Sequence, residues 1–145
     1  MSNELNIYTD GGSRGNPGPA ASAFVIFTGN GKKLFGTGNP LGQTTNNVAE
    51  YSAVIAALEW LTGNRKNFDD RIITINFYSD SQLMVNQLKG IYRIKNNRLQ
   101  TLIIQIKNLE KILNINCVYN LIPREKNQLA DGLVNQTLDS CINPT

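Results

Sequence analysis

The second half of the chain alternates short apolar runs with longer stretches of helical periodicity. Residues 71–79 are rich in β-branched side chains and predict a buried strand, and residues 115–121 predict another strand. Apolar residues recur at intervals of three or four along 97–113 and 128–138, which predicts helices, and residues 81–88 predict a shorter helix. Strands that are separated by helices pair in parallel through right-handed crossovers. This half therefore predicts a parallel sheet with helices packed against it.

The first half predicts an antiparallel meander that is followed by one helix. Strand character extends over residues 4–10, 20–28 and 32–38, with a tight glycine turn at 29–31. Helical periodicity then follows over residues 44–61. The order of elements is βββαβααβα. It predicts an α/β fold, namely a five-stranded mixed sheet with helices on both faces.

The length of the chain, 145 residues, suits one ordinary domain. We expect a single domain over residues 1–139 and a short C-terminal tail over 140–145. No segment approaches the ~20 apolar residues that span a bilayer, and the N-terminus lacks the pattern of a secretory signal. We therefore expect a cytoplasmic monomer that makes no contact with membranes.

The composition excludes several kinds of catalysis. The sequence has no histidine and only two cysteines, Cys117 and Cys141. Serine–histidine and cysteine–histidine catalysis are therefore excluded, as are histidine-ligated metals. Two cysteines are too few for a disulfide scaffold and lack the spacing of a zinc site. Carboxylates, amides, hydroxyls and cationic side chains remain, which favours hard-metal or phosphate chemistry.

Four of the eleven acids occupy positions that suggest a shared site. Asp10 and Asp80 are predicted to end their strands, and ligands gather at the carboxyl ends of parallel strands. If the two strands are neighbours, a spacing of ~4.8 Å places both carboxylates side by side, and a divalent cation would relieve their repulsion. Glu50 shares the apolar face of the 44–61 helix, and Asp131 lies in the first turn of the last helix. Taken singly, each acid could instead be a turn or helix-capping residue.

Two other segments indicate contact with a nucleic acid. The glycine-rich run at 11–19 precedes a strand and not a helix, so we interpret it as a turn that a substrate can approach closely. Ser13, Asn16 and Asn47 offer uncharged groups that suit 2′-hydroxyls. Residues 89–98 carry four cations, one tyrosine and no acid, which is typical of a phosphate-backbone contact. A solvated connection between helices would have the same composition.

Four blocks of the sequence resemble, in order and spacing, those of the type 1 ribonuclease H family. They are YTDGGSRGNPGPAA (8–21), TTNNVAEYSAVIAALEWL (44–61), FYSDSQLMVNQL (77–88) and IPREKNQLADGLVNQ (122–136). The resemblance implies a ribonuclease H-like fold and an endoribonuclease that hydrolyses the RNA strand of RNA–DNA hybrids, leaving 5′-phosphate and 3′-hydroxyl ends. It also implies two Mg²⁺ ions, which Mn²⁺ could replace. The implied metal ligands are Asp10, Glu50, Asp80 and Asp131.

Residues of the four blocks and of the cationic segment 89–98 are the candidates for substrate binding. These positions are Gly11, Gly12, Ser13, Asn16, Thr45, Asn46, Asn47, Gln82, Lys89, Arg93 and Lys95. Three of them, Thr45, Asn46 and Asn47, stand at the predicted start of a helix, and either of the first two can cap it. A helix N-terminus favours anions, so we expect this triplet to hold a phosphate of the DNA strand.

Two departures from the family pattern affect these expectations. Well-studied members carry a mobile histidine before the last helix, whereas the aligned position here is Arg124. An arginine stays protonated and cannot act as a general base, but it could assist catalysis by steadying a phosphate or easing product release. The alternative for Arg124 is a plain surface residue. Larger members insert a basic extension where this chain has only residues 89–98, so we expect weaker hybrid binding, and we expect no separate hybrid-binding domain.

Three alternatives to a hybrid-specific enzyme are compatible with the same residues. The chain could be a non-catalytic module that binds RNA–DNA hybrids, or a related nuclease that also cuts double-stranded RNA. It could also be a domain of a reverse transcriptase, although a Met1 start and a short tail disfavour this reading. The complete set of four acids argues against a non-catalytic module, which has no need of them. The expected partner is an RNA–DNA hybrid duplex.

Overall fold

The computed structural model describes residues 3–68 and 71–142. Five strands form one sheet in the order β3-β2-β1-β4-β5. The strands are β1 (Glu4–Ser13), β2 (Gly18–Thr28), β3 (Lys33–Thr44), β4 (Thr74–Ser79) and β5 (Asn116–Leu121). β1, β2 and β3 pair antiparallel, whereas β4 pairs in parallel with both β1 and β5. The predicted five-stranded mixed sheet is thus confirmed.

Helices cover both faces of this sheet, as predicted. They are α1 (Asn46–Gly63), α2 (Gln82–Leu88), α3 (Asn97–Leu113) and α4 (Gln128–Ile142). The main hydrophobic core joins α1 and α3 to one face, where Ile7, Phe24 and Phe77 are buried. On the opposite face, Val134 of α4 clusters with Ala23. Successive side chains of a strand point to opposite faces, so β2 contributes to both cores.

The start of α1 packs directly against β1. Thr45 caps the helix, because its hydroxyl accepts a hydrogen bond from the Val48 N–H at 3.2 Å. A Cβ at Gly11 would lie 2.3 Å from the carbonyl atoms of Ala49, so only glycine permits this approach of the two backbones. The contact brings Glu50, the next residue of the helix, against the C-terminal part of β1.

β1 is longer than predicted, and this corrects the position of Asp10. The glycines that follow Asp10 predict a strand end, but the strand continues to Ser13. Pairing with β4 stops at Tyr8, opposite Tyr78, whereas pairing with β2 continues until Ser13 lies opposite Ala20. A full ladder on one side overrides the weak strand propensity of glycine. Asp10 therefore lies inside a strand whose β4 side is open, and not at a strand end.

Other boundaries also differ from the prediction. β3 runs to Thr44 and not to residue 38, because a register shift opposite Ala20 and Ala21 accommodates the chain around Pro40. α4 continues to Ile142, so residues 140–142 of the predicted tail are helical, and 143–145 lie outside the described residues.

The remaining elements deviate little. α3 has the predicted bounds, β4 and β5 begin three residues and one residue later than predicted, and Ser81 caps α2. Cys117 and Cys141 are free thiols. Within residues 3–68 and 71–142, no helix is long and apolar enough to cross a bilayer.

Candidate active site

A cleft of about 1000 Å³ lies where β1 and β4 stop pairing. Asp10 of β1 and Asp80, the residue after β4, both line it. β1 and β4 are parallel neighbours, so the two acids come from adjacent strands at the same edge of the sheet. This juxtaposition is the one that the sequence predicts, although Asp10 reaches it from within a strand.

Glu50 and Asp131 reach the same cleft from helices on opposite faces of the sheet. Glu50 lies early in α1, on the side that also carries the buried Val54. Asp131 lies in the first turn of α4, where the Asn135 amide donates a hydrogen bond to its Oδ2 at 3.4 Å. Four acids that are far apart in sequence thus converge on one cleft, which helix capping alone does not explain.

Burial and mutual repulsion strongly perturb two of these acids. Burial raises the pKa of Asp10 to about 8, with further increases from the charges of Asp80 and Glu50. A hydrogen bond from the Gly11 N–H opposes this rise in the pKa of Asp10. Burial also raises the pKa of Glu50 to about 7, against the opposing effect of a hydrogen bond from the Ser81 side chain. The protein alone therefore compensates the negative charge of the cleft incompletely.

Arg124 also lines the cleft and contributes one positive charge. It begins a short 3-10 turn, Arg124–Lys126, just before α4. Its Nε lies 3.7 Å from Oδ2 of Asp80, and its side chain is 85% exposed. Its charge also lowers the pKa of Glu50. Because an ion pair this exposed contributes little stability, the guanidinium can reorient toward a ligand at small cost.

Asn127 supports the site, and the sequence analysis missed it. The side chain is 1% exposed, and its Nδ2 donates to the Thr9 carbonyl at 2.9 Å and to Oδ1 of Asp80 at 3.4 Å. It therefore ties the start of α4 to both strands that carry the paired aspartates. An asparagine before a helix ordinarily indicates a cap. That pattern gives no sign that the side chain turns inward to the sheet.

Six of the predicted substrate-binding residues line the cleft. They are Gly11, Gly12, Ser13, Asn46, Asn47 and Gln82. Oδ1 of Asn46 accepts hydrogen bonds from the Ser13 N–H at 2.8 Å and from the Ser13 hydroxyl at 2.9 Å. The Asn46 N–H donates to Oδ1 of Asn16 at 3.1 Å. Asn16 and Thr45 do not line the cleft themselves, but they fix the turn and the helix start that do.

The predicted cationic segment does not reach the lining of the cleft. Lys89, Arg93 and Lys95 are exposed in the connection between α2 and α3. Arg14, which the sequence analysis did not single out, lines the cleft instead. One arginine within a glycine-rich turn carries no pattern that separates it from an ordinary surface cation, so nothing in the sequence marks it.

The donor chemistry of the cleft fits divalent metal ions. Hard cations such as Mg²⁺ prefer carboxylate oxygens. The pKa of Asp10 is raised first by burial and then by the charges of Asp80 and Glu50, and a bound cation would offset both effects. Among the residues that the structure describes, no three acid, thiol or imidazole side chains are gathered closely enough to form a ready-made metal site. Uncompensated carboxylates repel one another, so a bound cation would draw them closer together.

Comparison with known proteins gives a consistent assignment. Residues 8–137 match the model of the reverse transcriptase-like family. Ribonuclease HI of Halobacterium salinarum is 38% identical over 135 residues, which cover 93% of this chain and 64% of that protein. Bifunctional protein Rv2228c of Mycobacterium tuberculosis is 35% identical over 136 residues, 92% of this chain and 35% of that protein. This chain thus spans less than two thirds of the length of either relative.

Solved structures agree over nearly the whole chain. LC11-RNase H1, solved in complex with an RNA/DNA hybrid, has a TM-score of 0.89 at 40% identity, covering 96% of this chain and 99% of that one. RNase H1 from Halobacterium salinarum has a TM-score of 0.85 at 36% identity, covering 94% of this chain and 98% of that one. The expected ribonuclease H-like fold is confirmed. The chain belongs to the reverse transcriptase-like family and, within it, to the type 1 ribonucleases H.

Proposed function

We propose that this protein is a metal-dependent endoribonuclease that hydrolyses the RNA strand of RNA–DNA hybrids. The observation that carries the proposal is the convergence of Asp10, Glu50, Asp80 and Asp131 on one cleft. The structural likeness to LC11-RNase H1, which was solved with an RNA/DNA hybrid, supports the choice of substrate. The expected products carry 5′-phosphate and 3′-hydroxyl ends.

Asp10, Glu50, Asp80 and Asp131 would hold two divalent ions, Mg²⁺ or Mn²⁺. When bound, such ions supply a water activated for attack and charge stabilisation for the leaving 3′ oxygen. The protein contributes the placement of its ligands. Asn127 holds Asp80 by a hydrogen bond, and the close contact at Gly11 sets the start of α1 beside β1. These fixed positions lower the cost of assembling the site when substrate and ions arrive.

Uncharged groups beside the acids would select the RNA strand. Phosphates are common to RNA and DNA, so selectivity must come from the 2′-hydroxyl. Gly11, Gly12 and Ser13 present backbone and hydroxyl groups to the cleft, next to Glu50. Gln82, at the start of α2, lines another part of it. We expect these groups to hydrogen-bond several 2′-hydroxyls and to read no base sequence.

The start of α1 would hold the DNA strand. Asn46 and Asn47 line the cleft, and Thr45 caps the helix there. The N–H groups of a helix N-terminus favour an anion such as a backbone phosphate. The fixed turn around Ser13 and Asn46 keeps this phosphate position at a constant distance from the acids.

Arg124 would act on phosphate charge and not as a proton acceptor. Arginine side chains as a class carry a positive charge and offer no site for accepting a proton. From its place beside Asp80, Arg124 can steady the phosphate under attack or weaken the hold on the product. The chain has no histidine to take either role.

A cleavage assay tests the proposal directly. An end-labelled RNA strand in a mixed-sequence hybrid is incubated with the protein, with Mg²⁺ or Mn²⁺ and then with chelator, beside duplex DNA and double-stranded RNA. We expect cleavage of the hybrid only with metal, at many positions, and no cleavage of duplex DNA. Hybrid binding without cleavage in any metal would favour a non-catalytic module. Cutting of double-stranded RNA at a similar rate would favour the broader nuclease.

The monomeric state and the cytoplasmic location stay predictions.

A further inference from the structure

Arg14 sits between the glycine-rich turn and α4, at the rim of the cleft. The backbone N–H of Arg14 donates to the Pro19 carbonyl at 2.8 Å, which closes the turn between β1 and β2. Its guanidinium Nη2 lies 2.6 Å from Oδ1 of Asp139 and 3.5 Å from the Asn135 carbonyl. Nη2 alone makes both of these contacts, and the side chain is 39% exposed. The arginine is thus placed by its backbone, while its charged end is held through Nη2 in a solvent-exposed ion pair.

Arg14 differs from Arg124, the other cation of the cleft, in the acid with which it pairs. Within the described part of the chain, four carboxylates and two cations, Arg14 and Arg124, line the cleft. Arg124 lies near Asp80, so part of its charge compensates an acid of the site. The partner of Arg14 is Asp139, which does not line the cleft. The charge of Arg14 is therefore not committed to any of the four acids.

We propose that Arg14 binds a phosphate of the RNA strand, exchanging Asp139 for that phosphate when the hybrid docks. The inference rests on the proposed function and adds a binding residue to it. An exposed ion pair is worth little in free energy, so the exchange costs little. The planar guanidinium matches a phosphate better than an ammonium does. Arg14 directly follows Gly11–Ser13, the segment expected to contact RNA 2′-hydroxyls, which assigns it to that strand.

A structural clamp is the competing explanation for the same contacts. Arg14 and Asp139 could simply tie the turn to α4, which shapes one wall of the cleft. The two explanations predict different effects on hybrid binding when Asp139 loses its charge. A clamp requires both partners, so either substitution should weaken hybrid binding by a similar factor. A phosphate ligand is freed by the loss of its competitor, so the two substitutions should act in opposite directions.

Hybrid binding in chelator tests the proposal without any catalysis. Fluorescence anisotropy of a labelled mixed-sequence RNA–DNA hybrid gives Kd at several KCl concentrations. We expect Arg14→Ala to raise Kd by about threefold to tenfold at low salt and to reduce the slope of log Kd against log salt by about 1. We expect Asp139→Asn to lower Kd by roughly twofold to threefold. Equal weakening by both variants, or no change with Arg14→Ala, would overturn the proposal.

Four further variants keep the result interpretable. Asp139→Asn combined with Arg14→Ala should bind like Arg14→Ala alone, because the gain requires the freed arginine. Arg14→Lys should keep the wild-type salt slope. Arg14→Gln should reduce that slope by about 1, which gives a second test if Arg14→Ala folds poorly. Lys66→Ala removes an equal charge from the exposed turn after α1 and should change neither quantity. A loss of slope with Lys66→Ala would show that only net charge matters.

A modified hybrid tests whether Arg14 contacts the RNA strand, and cleavage by the wild-type protein tests the proposed function separately. A hybrid whose DNA strand carries neutral methylphosphonate linkages should keep the full ratio of Kd between Arg14→Ala and wild type. If that ratio falls to one, the contact is to DNA and the assignment to RNA is wrong. The proposed function would fail in a different way, by the absence of metal-dependent cleavage in the wild-type protein. Metal-dependent cleavage by the wild type together with an unchanged Kd for Arg14→Ala would overturn the proposal for Arg14 and leave the proposed function standing.

Discussion

The cleft and the connection between α2 and α3 both carry concentrated charge, but they differ in how far their charged groups are exposed to solvent. In the cleft, Asp10 and Glu50 are half-buried, and burial raises the pKa of each. In the connection, Lys89, Arg93 and Lys95 are exposed to solvent. Charges in a low-dielectric site interact strongly with their neighbours, whereas solvated charges are screened within about 10 Å. The cleft can therefore direct chemistry, and the connection can only attract a polyanion.

Loss of a cleft acid should have the largest effect of any substitution. We expect Asp10→Asn to reduce cleavage of a hybrid at least ~1000-fold in Mg²⁺, because the amide cannot replace a charged metal ligand. The fold should be kept, as measured by circular dichroism. Glu59→Gln, which removes an exposed acid from α1, should cleave at the wild-type rate. Wild-type turnover of Asp10→Asn would remove this residue from the proposed metal site.

The same substitution should stabilise the metal-free protein in a pH-dependent manner. The pKa of Asp10 is about 8 in the folded protein, raised by burial and by the charges of Asp80 and Glu50, whereas an aspartate that is free of such effects has a pKa of 3.8. The wild type therefore loses stability as the pH rises between these values. Asp10→Asn lacks this loss, so its Tm advantage in chelator should be larger at pH 9 than at pH 5, by roughly 5 °C or more. An advantage that is equal at both pH values would contradict the raised pKa.

Divalent ions supply the control for that measurement. A ligand that binds only the folded state raises its stability. Mg²⁺ or Mn²⁺ should therefore raise the Tm of the wild type, with most of the gain lost in Asp10→Asn. An equal gain in both proteins would mean that the ions bind somewhere other than the cleft.

Arg124 lines the cleft, but its side chain is largely exposed to solvent. Its substitution should therefore lower turnover less than loss of a cleft acid does. We expect Arg124→Ala to lower turnover about 10-fold, far less than loss of a metal ligand. Lys126→Ala removes an equal charge from the same short turn and should leave turnover unchanged. Unchanged turnover in Arg124→Ala would make it a plain surface residue. Neither variant can alter a histidine-dependent pH profile, since the chain has none.

The start of α1 should affect binding more than chemistry. Replacing Thr45 and Asn46 by Ala removes the cap of α1 and the acceptor that fixes Ser13. We expect KM to rise several-fold while kcat falls less, because these residues position the substrate and are not among the four acids. Thr45→Ser keeps the capping hydroxyl and should behave as wild type. A fall in kcat without a change in KM would contradict this division of roles.

The sequence predicts most of the elements because their patterns are local. α3 has helical periodicity over its full length, an asparagine cap at Asn96 and a left-handed residue at Asn114, so its bounds match the prediction. The order of elements then requires a mixed sheet with helices on both faces. The four acids are also predictable as a group, since each lies within a block that resembles the same family.

What the sequence does not predict depends on contacts between distant segments. β1 continues past Asp10 only because β2 supplies a partner as far as Ala20. Asn127 supports Asp80 only because α4 begins beside the end of β4, and no neighbour in sequence reveals this. Arg14 reaches the cleft because the turn after β1 folds against α4. Each of these residues looks ordinary until the sheet has formed.

The exposed connection should give the smallest effect, and it separates local from long-range electrostatics. We expect the triple substitution of Lys89, Arg93 and Lys95 by Ala to raise Kd for a hybrid only a few-fold at about 50 mM salt. That difference should largely disappear at about 200 mM salt, with kcat unchanged, because solvated cations act through a screened field. Hybrid binding across a salt series in chelator gives the slope.

A charge-matched variant decides whether the connection itself matters. Lys32, Lys66 and Lys111 replaced by Ala remove the same three charges from other exposed positions. If residues 89–98 lie along the path of the duplex, their triple variant should reduce the salt slope by about 1 or more, and the matched variant by much less. Equal salt slopes for the two triple variants would mean that the connection contributes to hybrid binding only through the net charge of the protein. In that case the cleft, with Arg14 and the start of α1, would account for the specific part of binding.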